Sequence, residues 1–339
     1  MNNPDQERIL LVIPRVSNFH GHLINALQYL QYPYTTFDSR DSIVYRNLFV
    51  RRLIRRFPFT KFLKRASIAR LNRRLLNMVD QYQPTILFAV GAETISAQTI
   101  KTIREKGILT LNWFPDLMSH WSVIKKIAPA YDHFFAIDKT IMESLNAEGI
   151  KNSSYALLAV SDQGQFQPHK NRRYPITFVG NYNLKFWPKR EPMLHTVKDS
   201  GLHIWGPAVW QQTSVGSCYQ GTTQGEHMLE IFRQSKIALD IPSEFLKANS
   251  VGPRVFDVLG AGTALFLYDV KSEVKEIFKE GIECVTFTSE DDLREKVAYY
   301  LAHEAELEAI AFQGYQAVQK HTYPQRIQEL ISRARAATS

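Results

Sequence analysis

Short apolar runs recur along the chain, separated by stretches whose apolar positions fall three and four residues apart. Runs of this kind are the mark of strands buried on both faces, and the wider spacing marks helices buried on one. In the first half the strand runs are RILLVIP at 8–14, TTFD at 35–38, TILFAV at 85–90, ILTLNWF at 108–114, HFFAI at 133–137 and SSYALL at 153–158. Helices are expected at 20–31, 44–56, 61–82, 93–106 and 139–148. Residues 161–174, SDQGQFQPHKNRRY, are polar and without period, so they read as a linker. Beyond it the alternation resumes with PITFVG at 175–180, LHIWG at 202–206, KIALDI at 236–241, TALFLY at 263–268 and ECVTF at 283–287. Helices fall between these strands near 189–200, 225–235, 252–260, 272–280 and 289–303, and the tail 304–335 reads as helix. Strands alternating with helices predict α/β architecture with doubly wound parallel sheets. Two Rossmann-like units are expected, 1–165 and 170–320, with 321–339 a closing helix that packs back toward the N-terminal unit. A chain of 339 residues is long enough for two such domains.

Composition narrows the class without naming it. Hydrophobic content of 45% and charged content of 22% are those of an ordinary globular protein. No apolar run approaches the roughly 20 residues that span a bilayer. The start MNNPDQERILLVIP places acidic residues before a short apolar run, unlike a signal peptide. Two cysteines, Cys218 and Cys284, make neither a disulfide framework nor a metal-ligand spacing, so a cytoplasmic location is expected. The net charge of +8 is uneven. Between Asp41 and Asp80 there is no acidic residue, while Arg46, Arg51, Arg52, Arg55, Arg56, Lys61, Lys64, Arg65, Arg70, Arg73 and Arg74 alternate with apolar and aromatic residues. This basic helical insertion, 44–82, is either a solvated face packed on its own domain or a surface for an anionic membrane or acceptor through 46–74. Charge alone supports nucleic acid weakly, and none is expected as a partner.

The chemistry concentrates in Asn249–Asp269, NSVGPRVFDVLGAGTALFLYD. A helix beginning at Gly252 and Pro253 offers free N–H groups and a positive dipole end to a phosphate. Arg254 and Asp257 project from neighbouring turns of that helix, as a diphosphate clamp and a hydroxyl acceptor or as a simple ion pair. Gly260 and Gly262 either allow close approach of a donor or cap the helix. Gly180 and Gly206 follow strands and permit tight turns. Lys185 and Arg190, in the loop after Gly180, can supply further positive charge to a departing diphosphate. Trp205 and Trp210 can stack on a base or a sugar, or fill the core.

The landmarks ITFVGNYNLKFWPKREPML, LHIWGPAVW, SKIALDI, PRVFDVLGAGTALFLYD and IAFQGYQAVQKHTYPQRIQELI, in this order, resemble glycosyltransferases of the GT-B fold, most closely the CgeB-like (spore-maturation-type) family. The likeness covers roughly 130–335; in the N-terminal part WFPD at 113–116 is the best local match. The resemblance implies two Rossmann-like domains facing a cleft, with a nucleotide-sugar donor held mostly by the C-terminal domain and a hydroxyl acceptor by the N-terminal one. Related retaining enzymes carry two glutamates eight positions apart. The equivalent positions here are Asn249 and Asp257, an amide and a carboxylate, so the stereochemical outcome stays open.

For acceptor activation the candidates are His20, in NFHGH after the first strand, and Asp116, in NWFPD. His20 and His22 are two apart in a loop and do not make a metal pair, so neither metal nor other cofactor is expected. Asp38 resembles the ribose-binding acid of a dinucleotide fold, yet no G-x-G-x-x-G follows the first strand. The leading reading is a metal-independent transferase moving a sugar from a nucleoside-diphosphate sugar to a hydroxyl of a glycan, lipid or small molecule. Two others compete: a nucleotide-sugar epimerase of the same fold, and a non-catalytic nucleotide- or anion-binding protein docked on a membrane.

Overall fold

The computed structural model describes residues 7–41, 61–116, 120–160, 166, 168, 172–242, 251–268 and 273–338. The helix expected at 44–56 and most of the linker lie outside these residues. The chain divides into two compact units, Met1–Leu157 with Tyr323–Ser339, and Leu158–Thr322.

The first unit runs β1 (Ile9–Ile13), α1 (Asn18–Tyr29), β2 (Tyr34–Asp38), α2 (Lys61–Tyr82), β3 (Ile86–Val90), α3 (Ala97–Arg104), β4 (Leu109–Phe114), α4 (Trp121–Ile127), β5 (His133–Ala136), α5 (Lys139–Ala147) and β6 (Ser153–Tyr155). Its six strands lie in the order β2-β1-β3-β4-β5-β6, all parallel. Every residue of β1 and β3 is buried, as unbroken apolar runs between two helical layers require. The helix expected from Glu93 starts only at Ala97. Gly91 and Ala92 both take positive φ (66° and 52°), which bars a helix there, and Ser96 then caps α3 by accepting from Thr99 N at 3.1 Å. Asn72 of α2 fastens this loop, donating to Thr94 O at 2.9 Å and accepting from Ser96 N at 2.8 Å. Helix α4 was not anticipated, because its seven residues are too few to show a period.

The second unit continues with β7 (Tyr174–Val179), α6 (Arg190–Thr196), β8 (Leu202–Trp205), β9 (Tyr219–Gly221), α7 (Gly225–Arg233), β10 (Ser235–Asp240), α8 (Pro253–Gly260), β11 (Ala264–Tyr268), α9 (Glu273–Ile277), β12 (Val285–Phe287), α10 (Glu290–Ala302) and α11 (Glu304–Val318). The strand order is β12-β11-β10-β7-β8-β9, again all parallel. The tail is not one helix. It breaks after Val318, and α12 (Tyr323–Ala336) follows, with Pro324 in the first turn where its missing N–H costs nothing. Helix α11 packs on α8 and β11, while α12 packs on α1 and β4 of the first unit. Gly314 allows the close seat of α11, since a Cβ there would meet Glu283 O at 2.4 Å. Arg333 of α12 donates to Ser154 Oγ and Tyr155 O at 2.7 and 2.8 Å. Cys218 and Cys284 are buried free thiols. No helix among the described residues is long and apolar enough to cross a membrane.

Candidate functional site

In both units the polar chemistry gathers beyond the carboxyl ends of the strands, where open parallel sheets bind ligands. In the second unit it centres on β10 and α8. Helix α8 opens at Gly252 with no side-chain cap and with Pro253 in its first turn, so the amides of that turn have no side-chain partner at the N-cap. Arg254 lies over the Phe232 ring at 5.2 Å and 3.8 Å from the Asp257 carboxylate. That separation is an ion pair too long for a hydrogen bond. Their side chains are 24% and 15% exposed, so the charges are poorly screened. Asp240 closes β10 beside them. Burial raises its pKa, the Arg190 and Arg254 guanidiniums pull it down, and Asp257 pushes it up. Two arginines and two carboxylates thus share one low-dielectric patch beside an open helix start.

Arg190 is buried in this patch. It donates to Ile241 O at 2.9 Å and Asn181 O at 2.6 Å, and its guanidinium stacks over Trp187 at 4.4 Å. Burial brings its pKa down to about 10, Asp240 opposing and Arg254 adding to the fall. With these bonds Arg190 fixes the turn after β7 and lends its charge to Asp240. Lys185 stands exposed in the same loop, with its ammonium 5.9 Å from the Phe186 ring. The loop is clasped by the Tyr182 hydroxyl donating to Glu191, which also accepts from Ser214 N at 2.8 Å.

The two glycine turns abut. Gly180 O accepts from Trp210 Nε1 at 2.9 Å, and a Cβ on Gly206 would meet that same carbonyl at 2.3 Å. Trp210 is fully buried and Trp205 nearly so, which settles the aromatic question in favour of core. Gly260 is buried in the last turn of α8. Gly262 has φ of +70° beyond it, and its carbonyl accepts from Arg172 Nη2 at 2.6 Å. Gly252, by contrast, has no atom within 4 Å of a would-be Cβ, so the space at the helix start is open. Asn249 lies outside the described residues.

The first unit holds a cavity of about 180 Å³ at the carboxyl edge of its sheet. Four successive strand-end loops build it: Pro14–Phe19 after β1, Ser39 and Arg40 after β2, Gly91–Thr94 after β3, and Pro115 and Asp116 after β4. Asp116 is therefore a cavity residue. His20 lies within α1, half-buried, and is not part of the lining, while His22 stacks on Tyr323 with ring centroids 5.4 Å apart. Asp38 accepts from the backbone N–H groups of Arg15 and Arg40, a structural role in the same edge.

Two residues that sequence reasoning missed complete this edge. The left-handed pair Gly91–Ala92 delivers Glu93 to the cavity, and Glu93 Oε1 lies 2.6 Å from His120 Nδ1. Asp116 belongs to the same group, with ligand atoms of the three residues within 4.8 Å of one another. The rule that strand-end loops carry function would have pointed at Glu93, just past TILFAV. The 2.6 Å contact is that of a short hydrogen bond between the carboxylate and the ring.

Residues 189–332 match a family model described as glycosyl transferase-like. Among curated proteins none matches significantly. Among solved structures, sucrose-phosphate synthase from Thermosynechococcus elongatus aligns over 98% of this chain and 100% of its own, at 11% identity and TM-score 0.69. Anabaena HepE, solved in complex with UDP-glucose, aligns over 97% and 100%, at 8% identity and TM-score 0.63. The lipopolysaccharide outer core galactosyltransferase WaaB aligns over 96% and 99%, at 14% identity and TM-score 0.59. The chain has the GT-B fold of glycosyltransferases.

Proposed function

We propose that this protein is a glycosyltransferase that moves a sugar from a nucleoside-diphosphate sugar to a hydroxyl acceptor. One observation carries the reading: the open start of α8, with Arg254, Asp257 and Asp240 grouped beside it, in a fold whose relative HepE was solved with UDP-glucose. The first-turn amides and Arg254 would bind the diphosphate, and Asp257 the hydroxyls of ribose or sugar. Lys185, on its exposed loop, adds a second cation for the charge that grows on the leaving phosphate. Arg190 would act by holding the turn and by its field. Cations from the chain take the place of a divalent metal in this scheme. Asn249, by its place in the sequence, falls to the same donor side.

The acceptor would bind at the cavity of the first unit, with Asp116 in its wall. An epimerase acting on the free nucleotide sugar has no use for a second site, so this cavity favours transfer. We place the chain nearest the CgeB-like glycosyltransferases, on the landmarks between 176 and 331. Attachment to an anionic membrane face from the cytoplasmic side fits α2, where Phe62 and Leu63 are exposed beside Lys64, Arg65, Arg70 and Arg73. The test is a thermal-shift panel of nucleoside diphosphates and their sugars. A ligand that binds the native state raises the melting temperature by mass action. A saturable rise with one base is expected, unchanged by EDTA. A flat panel would refute the donor site, and a rise only with added divalent metal would refute metal independence.

A further inference from the structure

We propose that Glu93, Asp116 and His120 form a site for one divalent transition-metal ion, of the zinc or manganese class, at the carboxyl edge of the sheet in the first unit. The inference does not depend on the glycosyl-transfer reading, and the ion has no part in holding the donor. The three side chains reach one place from two connections. Glu93 comes from the loop after β3, and Asp116 and His120 from beyond β4. One ligand atom of each lies within 4.8 Å of the others. Ligands bound to one tetrahedral zinc ion at about 2.0–2.2 Å sit roughly 3.4 Å apart, so side-chain rotations of about an ångström close the cluster on an ion. The nearest pair, Glu93 Oε1 and His120 Nδ1 at 2.6 Å, is joined by a hydrogen bond, and coordination through both atoms displaces its proton.

The donor atoms select the class of ion. An imidazole nitrogen favours zinc, copper, iron or nickel over magnesium and calcium, and carboxylates extend the range to manganese. Three protein ligands leave at least one position open, the form that catalytic rather than structural zinc sites take. All three are reachable from solvent: Asp116 is exposed, and the Glu93 and His120 side chains are 28% and 36% exposed. Phe114 stands edge-on to the imidazole at 6.2 Å and limits the turn of the ring. The local charge also calls for a cation. Two carboxylates share the cluster, and among the described residues neither is paired with a lysine or arginine. Arg40, in the cavity wall, is the opposing charge.

A second feature points to a ligand at the same edge. Ser39, just past β2, lines the cavity together with Glu93 and Asp116 and is 1% exposed. Its hydroxyl is buried and has no hydrogen-bond partner among the described residues. A buried hydroxyl left without a partner is costly, so it calls for an ordered water or a bound group. Water on the open position of the ion is such a partner, fixed in place and able to donate to Ser39 Oγ. Thr94 Oγ1 donates to Ser39 O and so ties Ser39 to the loop that carries Glu93. The ion thus borders the cavity through Glu93 and Asp116, and its open position takes an oxygen ligand, water when nothing else is bound.

The experiment titrates the full chain, stripped with EDTA and desalted, with Zn²⁺, Mn²⁺, Mg²⁺ and Ca²⁺ by calorimetry. One equivalent of Zn²⁺ or Mn²⁺ is expected to bind, the tighter of the two naming the ion, with Mg²⁺ and Ca²⁺ much weaker. Affinity should fall between pH 7.5 and 5.5, because the imidazole must be neutral to coordinate. Asp116→Asn and His120→Ala should each weaken binding by about 100-fold or more, since even partners outside the coordination shell cost about 10- to 100-fold. Glu93→Gln, of the same shape, repeats the test should either of those variants melt below wild type. His227→Ala, on an exposed face of α7, is the control and should leave Kd within twofold. No saturable binding of either Zn²⁺ or Mn²⁺ overturns the proposal. So does binding that survives Asp116→Asn and His120→Ala, binding lost in His227→Ala, or equal affinity for Mg²⁺ and Ca²⁺. The donor panel run in EDTA tests the transfer reading separately, and a flat result there leaves the metal site standing.

Discussion

Replacing Arg254 with alanine removes a single cation from the start of α8, and the loss can be sized from its surroundings. The guanidinium is about three-quarters buried, rests on the Phe232 ring, and stands 3.8 Å from Asp257, so its N–H groups are not consumed by that carboxylate. A unit charge about 4 Å from a phosphate oxygen is worth about 4 kcal/mol at an effective dielectric constant of about 20. Desolvation takes back part of this. The net of a charged hydrogen bond is about 1.5–3 kcal/mol, which is about 10- to 150-fold in Kd. A second effect acts in the opposite direction: Arg254 is one of two cations that hold down the pKa of Asp240, so its removal favours the neutral carboxyl there and offsets part of the lost attraction. Calorimetric titration with UDP, GDP, dTDP and ADP identifies the best ligand for wild type, and the variant is compared on it. Arg254→Lys should fall between the two, because it keeps the charge and loses the planar fork. Arg233→Ala serves as the control for net charge, since that side chain is already paired with Glu226 and Glu230. An Arg254→Ala Kd within twofold of wild type would refute the assignment.

His133 should make the protein acid-sensitive. Burial, with Arg333 adding, lowers its pKa to about 4 in the folded state against an ordinary 6.5. Between those values the unfolded chain binds more protons, so this contribution to stability is intact above about pH 6.5 and lost as pH falls toward 4. Denaturant titrations at pH 7.5 and 5 should show about 2 kcal/mol less loss in His133→Gln than in wild type, and equal losses would refute it. Gly206→Ala should cost about 1–3 kcal/mol of stability, because its Cβ would meet Gly180 O at 2.3 Å, whereas Gly252→Ala, with nothing within 4 Å, should melt like wild type. Charge reversal at Lys64, Arg65, Arg70 and Arg73 should abolish flotation with phosphatidylserine vesicles. Unchanged flotation, or none in wild type, removes the membrane reading.

Strands buried on both faces were legible from sequence, since β1, β3 and β11 are unbroken apolar runs bounded by turns. Helix α8 was legible for a different reason: Gly-Pro before an apolar period marks an N-terminus, and Arg254 and Asp257 follow at a spacing that brings them together. What escaped was either short or tertiary. Strand β9 is three residues and α4 seven, too few for any period to appear. The start of α3 was misplaced by four residues because the left-handed turn at Gly91–Ala92 looks in sequence like ordinary helix-forming residues. Gly180 and Gly206 read as room for a ligand, and the structure shows Gly206 making room for Gly180 O and Trp210, and Gly180 for the Phe178 ring and Arg190. His120 carried no local signal, because its meaning comes from Glu93, 27 positions away in the chain.

The most direct measurement is a structure of the full chain with a nucleoside diphosphate soaked in at saturating concentration. The account requires the two phosphates at the start of α8, within hydrogen-bond distance of the Arg254 guanidinium and the first-turn amides, and the ribose toward Asp257. A diphosphate seated away from α8, out of reach of Arg254 and Asp257, would contradict it.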